Sequence, residues 1–495
     1  MNKLNLIMIK YFLLLIILSS GILMAQDIEF ANNLYYNYQN YKEASLNNRR
    51  IKHQDIVSLI DRLKSNPKFN VNIAGNSAEN RSIYLIKAGT GKTKIFLWSQ
   101  MHGDESTATM AIFDIFNFLS SNDFLNDFRN KLLQNVTLYF MPMVNPDGAE
   151  VFQRRNDFEI DINRDAISQQ TPEGKILKGT FDSLKADFGF NMHDQSIYHS
   201  AGHSFKPATL SFLAPADNYE KTIDTVRSNA MKVIGQMYQT LSSFIPGHIA
   251  KYSDDFEPRA FGDNFQKWGT STILIESGGW GNDTEKQFIR KLNFIALLCS
   301  FKSISEKSFM NESLDVYDKI PFNEEDLMDL IIRRVKYVKN GLEYSFDLGI
   351  KRTEVNINHS TGFYYKSAIE DLGDLSVFFG YEDYDFEGME ISPGKTYPVK
   401  FDSIEEIQKL NLNDLYNEGF TNVILNSKNF DDDFSPLAIN IIQNQNYEEK
   451  TNIKIGEIPN FVIKKNEKVK YVIINGFIYD VINSIGDINN GLILQ

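Results

Sequence analysis

From Phe69 onward, short apolar runs alternate with longer stretches in which apolar residues recur at helical spacing. Strands are predicted over 82–87, 94–100, 136–143, 188–193 and 270–276, and helices over 107–119, 219–241 and 284–301. Strands alternating with helices indicate an α/β layer architecture. Residues 27–80 read as helical and polar, with an aromatic run at Tyr35, Tyr36, Tyr38 and Tyr41 and a second helix over 54–64. Beyond about residue 305 the texture changes. One linking helical segment is predicted over 324–339, followed by β-like stretches such as 375–379, 395–401 and 468–474, punctuated by Asn, Gly and Asp. No chemical motif stands out in this last part. The spacing of a calcium loop is missing from Asp431-Asp432-Asp433, which reads as a solvated loop.

The first residues carry a different signal. Lys3 and Lys10 charge the start, the stretch 11–24 is mostly apolar, and Ala25 precedes the polar Gln26-Asp27. This is the pattern of a cleaved secretory signal. Its apolar core is shorter than the roughly 18 to 20 residues of a membrane span. No cysteine stands near the cut, which removes lipidation there, and no later segment is long and apolar enough to span a bilayer. The organisation expected is therefore a signal peptide over 1–25, an α/β domain with an N-terminal helical segment over 26–305, and a β-rich accessory domain over 306–495. Secretion or a periplasmic location follows, with no membrane span once the signal is removed.

The chain of 495 residues has a formal net charge of −13, which excludes the basic footprint of nucleic-acid binding. Its one cysteine, Cys299, permits no internal disulfide and sits in an apolar helical stretch, where it reads as a small buried hydrophobe. The run Gly89-Thr90-Gly91-Lys92-Thr93 resembles the end of a phosphate-binding loop, but Ile86 stands where the motif needs Gly, so it reads as a strand-to-strand turn.

Chemistry concentrates at strand ends. His102-Gly103-Asp104-Glu105 follows a predicted strand and precedes a helix, a setting in which an imidazole and a carboxylate three residues apart can face one point. Catalytic zinc takes three such nitrogen and oxygen ligands and a water. His193 ends another apolar strand, where ligands gather in open α/β sheets; it is either a third ligand or a core histidine, and Asp194 beside it can orient a neighbour. His199 and His203 read as loop residues. Glu276 closes the run Ile273-Leu274-Ile275 and is costly to bury unpaired, which suggests an ion pair or a general base. Asn145-Pro146-Asp147-Gly148 is turn chemistry. Arg154-Arg155 and the run Asp161-Ile162-Asn163-Arg164 supply guanidinium forks suited to carboxylates or an oxyanion.

In order and wording these stretches resemble the zinc carboxypeptidases of the carboxypeptidase A/B type, over roughly residues 70–300. The resemblance implies a mixed eight-stranded sheet flanked by helices and one zinc ion. His102, Glu105 and His193 would be its ligands, and Glu276 the general base. Asn163 and Arg164 would clamp the terminal carboxylate of a peptide substrate, and Arg155, rather than Arg154, would stabilise the oxyanion. Two features depart from the family. The stretch from Gly148 to the arginines is shorter than in the digestive enzymes, and the residues around Tyr252 do not match, which leaves a substrate-capping tyrosine unassigned. A peptidoglycan-peptide amidase on the same zinc site and a non-catalytic binding protein are the alternative readings. The second is disfavoured because no ligand or base is lost.

Overall fold

The structure is a computed structural model that describes residues 26–426, 433–443, 452–483 and 490–494. The signal-peptide segment and Asp431-Asp432 lie outside the described residues. The chain divides into two compact units, one ending at Glu324 and the other formed by 325–495 with the short insert 203–205.

The first unit is built on a mixed sheet of eight strands: β1 (Phe69–Asn76), β2 (Ser82–Gly89), β3 (Thr93–Ser99), β4 (Val136–Met141), β5 (Phe188–Asp194), β7 (Leu210–Leu213), β8 (Ile249–Lys251) and β9 (Ser271–Ser277). They lie in the order β1-β2-β4-β3-β5-β9-β7-β8. The central strands β4, β3, β5 and β9 run parallel, while β1, β2 and β7 pair antiparallel. Two short strands, β6 (Ser200–Ala201) and β10 (Asn323–Glu324), form a separate antiparallel pair. The run that resembles a phosphate-binding loop is the turn from β2 to β3, with Thr90 N donating to Leu133 O at 2.8 Å.

Strand alternation explains why both faces of the sheet are covered. In β3, Ile95 and Leu97 join one apolar cluster, while Phe96 and Trp98 join another. Helices α1 (His53–Lys64), α2 (Thr107–Ser120), α3 (Asn126–Asn135), α6 (Thr225–Leu241) and α8 (Gln287–Glu306) supply residues to the first cluster. Helices α5 (Pro172–Leu184) and α7 (Phe261–Lys267) supply the second; the short α4 (Pro146–Val151) lies between β4 and α5 in the chain. The helix expected over 219–241 begins only at Thr225, where Asp224 caps it by accepting from Arg227 N at 2.8 Å. Cys299 packs on the first cluster, and burial pushes its thiol pKa up.

A buried ion pair ties the N-terminal segment to this core. Asp114 on α2 accepts from Arg290 Nε on α8 at 2.7 Å, from Tyr38 Oη at 2.7 Å and from Glu43 N at 2.7 Å. Arg290 also donates to the carbonyls of Leu46 and Glu43. The polar aromatic stretch before residue 50 thus wraps the domain through one carboxylate.

The second unit is β-rich among its described residues, with one sheet of eight strands and one of five and separate apolar clusters for each. Residues 324–339 are not the expected linking helix: Leu327–Lys339 is a strand, paired with Leu342–Ile357. A bulge between Ile332 and Val335 shifts the register there and breaks the strict alternation, which makes the apolar spacing look helical. The β-branched and aromatic content of Ile331, Ile332, Val335 and Tyr337 decides the outcome.

Because Asp114 and Arg290 are fully buried, removing one partner strands the other. Asp114→Ala should cost about 3 to 5 kcal/mol in denaturant unfolding. Asp182→Ala, which breaks the exposed Lys178–Asp182 pair, should change the midpoint little. Equal effects would refute the role given to the buried pair.

Candidate metal centre

The loop after β3 is shaped by backbone packing. Gln100 adopts a left-handed φ of 51°. A Cβ on Gly103 would sit 2.1 Å from the carbonyl carbon of Gly148, so the loop can pass there only as glycine. Gly148 lies in α4, whose N-cap Asn145 accepts from Gly148 N at 2.9 Å and donates its own N–H to Gln100 O at 2.9 Å. Asp147 accepts from Ser77 Oγ at 2.7 Å and Glu79 N at 2.9 Å. The Asn145-Pro146-Asp147-Gly148 turn is therefore the shelf on which the His102 loop rests.

His102, Glu105 and His193 converge at the carboxyl ends of β3 and β5. Their ligand atoms lie within 4.8 Å of one another, and all three residues are buried. His102 Nδ1 is 2.7 Å from Glu105 Oε1, and His193 Nδ1 is 2.7 Å from Glu105 Oε2. Asp194 N also donates to Oε2, at 3.2 Å. The far side of His102 is fixed by Asp161, whose Oδ1 is 3.1 Å from Nε2. A carboxylate there favours the tautomer with the proton on Nε2 and leaves the Nδ1 lone pair for a cation. Two imidazole nitrogens and a carboxylate oxygen, buried and aimed at one point, suit a zinc ion.

The electrostatics agree with a site that prefers a cation. Burial opposes charge on both histidines and on the acid. For Glu105, burial raises the pKa, yet the two imidazoles outweigh it and hold the carboxyl well below its usual range. Burial would lower the His102 pKa, but Glu105 and Asp161 reverse this and carry it up to about 9. His193 remains below its ordinary value because burial dominates.

Glu276, the penultimate residue of β9, lies directly beside His193 in the sheet register. Burial and the nearby Glu105 charge push its pKa well above the usual carboxylate range. Part of its surface reaches solvent. Neighbouring Asp194 accepts from Thr107 Oγ1 at 2.6 Å and from Lys286 Nζ at 3.2 Å, and the same ammonium donates to Ser277 O at 2.8 Å. Lys286 thereby joins the ends of β5 and β9.

The arginine pair resolves differently from the sequence expectation. Arg154, not Arg155, reaches the cluster. Its Nη1 is 3.1 Å from His102 Nδ1 and 3.3 Å from Glu105 Oε1, and its Nε and Nη2 fork onto Asp161 Oδ2 at 3.1 and 2.9 Å. Arg155 donates to Glu159 O at 2.9 Å in its own loop. Adjacent residues outside regular structure carry no periodicity that says which one faces inward. Asn163 and Arg164 lie in a short 3₁₀ turn that Asp161 caps, accepting from Asn163 N at 2.9 Å. Tyr252 packs its ring edge on His199, and His203 pairs with Asp326 in the second unit. Asp161 and Lys286 received no role from the sequence. The Asp161 position, two residues before Asn163, was the available signal; Lys286 offered none.

Residues 56–265 match the family model for zinc carboxypeptidase. Carboxypeptidase 2 of Trichophyton tonsurans is 26% identical over 123 residues, which cover 25% of this chain and 22% of that protein. Carboxypeptidase SOL1 of Arabidopsis thaliana is 32% identical over 72 residues, 14% of this chain and 15% of that protein. The chain thus spans 15 to 22% of the length of these relatives. Among solved structures, a metallo-carboxypeptidase from Burkholderia cenocepacia overlays with a TM-score of 0.44 at 15% identity, covering 52% of this chain and 69% of the other. Bovine thrombin-activatable fibrinolysis inhibitor does so at 0.43 and 15%, covering 52% and 98%.

Purified protein should bind about one zinc per chain, and His193→Ala should lose it on dialysis, since two ligands hold zinc poorly. Nδ1 of His102 must shed its proton to bind. Affinity should therefore fall about tenfold per pH unit on the acid side of the His102 pKa, with proton release visible by calorimetry in buffers of different ionisation enthalpy. Full occupancy in His193→Ala would remove His193 from the ligand set.

Proposed function

We propose, from the match of residues 56–265 to the zinc carboxypeptidase model, that this chain is a zinc-dependent metallocarboxypeptidase acting on peptides with a free C-terminal carboxylate. The observation that carries the reading is the buried convergence of His102, Glu105 and His193 with Glu276 at the next strand end. Bound zinc supplies Lewis-acid polarisation and lowers the pKa of a water to about 7.

The protein groups do the rest. His102, Glu105 and His193 hold the ion, and Asp161 keeps His102 in the binding tautomer. Glu276 takes the proton of the attacking water and passes it to the leaving amine, from a partly exposed carboxyl beside His193 at the rim of the sheet. Arg154, already within 3.3 Å of two ligands, is the guanidinium placed to meet the negative charge that develops on the scissile oxygen. Asn163 and Arg164 receive the terminal carboxylate. The charged start and apolar stretch before Ala25 support export as the setting, and no described helix is long and apolar enough to cross a membrane.

Glu276→Gln should keep its zinc and lose about 10² to 10⁴-fold in turnover; near-normal turnover would reduce Glu276 to a structural carboxylate. Arg154→Ala should lower kcat by about 10²-fold, while Arg155→Ala should stay near wild type, and the reverse result would restore Arg155. A peptide acid should be cleaved far faster than its C-terminal amide. Equal rates would point to an endopeptidase or another amide hydrolase, which product mass spectrometry on peptides and muropeptides would identify.

A further inference from the structure

Arg164 is already engaged by a carboxylate of this chain. Its Nε lies 3.4 Å from Glu257 Oε2. The same oxygen accepts from Arg259 Nη2 at 3.0 Å, and Glu257 Oε1 accepts from Arg259 Nε at 3.0 Å. One carboxylate therefore sits between two guanidiniums, one of which grips it by both oxygens. That is the pairing a peptide's terminal carboxylate would seek.

The segment that brings Glu257 and Arg259 here is anchored to the carboxylate clamp itself. Phe261 N donates to Asn163 Oδ1 at 2.9 Å, and Ala166 N donates to Arg259 O at 3.1 Å. The backbone of Glu257 is fixed by Asp263, which accepts its N–H at 3.0 Å. The Glu257 side chain, by contrast, is held only by the two guanidiniums and by the N–H of Arg259, which reaches Oε1 at 3.1 Å. All three side chains reach solvent, with relative exposures of 37% for Arg164, 31% for Glu257 and 60% for Arg259. Exposed pairs of this kind are weak, so the carboxylate can leave while its backbone stays put.

We propose that Glu257 is a resident stand-in for the terminal carboxylate of the substrate, and that Arg259 is the second guanidinium of that subsite. This rests on the reading above that Arg164 receives that carboxylate. A peptide acid enters by exchanging its own carboxylate for that of Glu257, so both arginines are paired before and after. A peptide amide has to break the same pairs and returns no charge, so the two guanidiniums together discriminate against it. Between turnovers Glu257 keeps two flexible cations converged that would otherwise repel.

The test uses the zinc-loaded full chain, a peptide acid with its matching amide, and an N-acetyl amino acid as a calorimetric probe. Glu257→Gln keeps size but removes the competing charge. It should lower KM for the acid about 2- to 5-fold, with kcat moving less than KM, and tighten probe binding by the same factor. Glu257→Ala should act in the same direction. Arg259→Ala should weaken probe binding and reduce the preference for acid over amide by about tenfold, with only partial recovery in Arg259→Lys, which cannot fork. An unchanged or raised KM in both Glu257 variants, or an Arg259→Ala enzyme with its full acid preference, would overturn the proposal. If the wild type itself does not prefer acid over amide, the carboxylate-clamp reading fails first; an acid preference with inert Glu257 variants sinks this inference alone.

Discussion

Burying the Glu105 carboxylate is the constraint on which the centre of this protein depends. A carboxylate in a dry site is expensive unless every lone pair is answered. Here one oxygen faces His102, and the other faces His193 and the N–H of Asp194. Those partners come from the ends of two adjacent parallel strands, so the acid links the loop after β3 to the end of β5. The registers Ser99↔Met192 and His193↔Glu276 then place the fourth group without further adjustment. Sheet pairing deep in the core and the geometry at its rim are the same constraint seen at two depths.

A second ring of charges keeps the first in place. Asp161 holds the far nitrogen of His102, Arg154 forks onto Asp161 and touches Glu105, and Lys286 bridges Asp194 to Ser277 O. Arg154 and Asp161 touch the cluster directly, whereas Lys286 acts through Asp194 and a backbone carbonyl. Arg154 and Lys286 reach in on long side chains that tolerate movement of their loops, whereas His102, Glu105 and His193 sit at a strand end or in a loop pinned by the Gly103–Gly148 approach.

This difference explains which parts the sequence made legible. The spacing of His102 and Glu105 after an apolar run, and His193 and Glu276 at the ends of others, follows from strand periodicity and is written locally. The five strands expected in the first unit all form. The outer strands β1, β7 and β8 carry no clear strand pattern because they are polar or very short. Which of Arg154 and Arg155 turns inward is set by a loop that departs from Gly148, and no local pattern encodes that direction. The strand Leu327–Lys339 was misjudged for the opposite reason, since its bulge imitates a helical period. Asp161 stood in plain view, but its role exists only once His102 is folded against it.

The local charge balance gives the centre its final physical logic. Around the two imidazoles stand Asp104, Glu105, Asp161, Asp194 and Glu276, against Arg154 and Lys286 as fixed cations. Burial raises the pKa values of Asp104, Asp194 and Glu276, for Asp194 even with Lys286 beside it, so the cluster as a whole is short of positive charge. Without a metal, protons must fill that shortage, and His102 retains one up to about pH 9. A divalent ion at the Nδ1 atoms would replace protons with two fixed charges, relieving the acids together. It would also favour the ionised form of Glu276. The excess of carboxylates over cations around the two imidazoles is what a divalent ion would offset, in keeping with the donor set of the cluster.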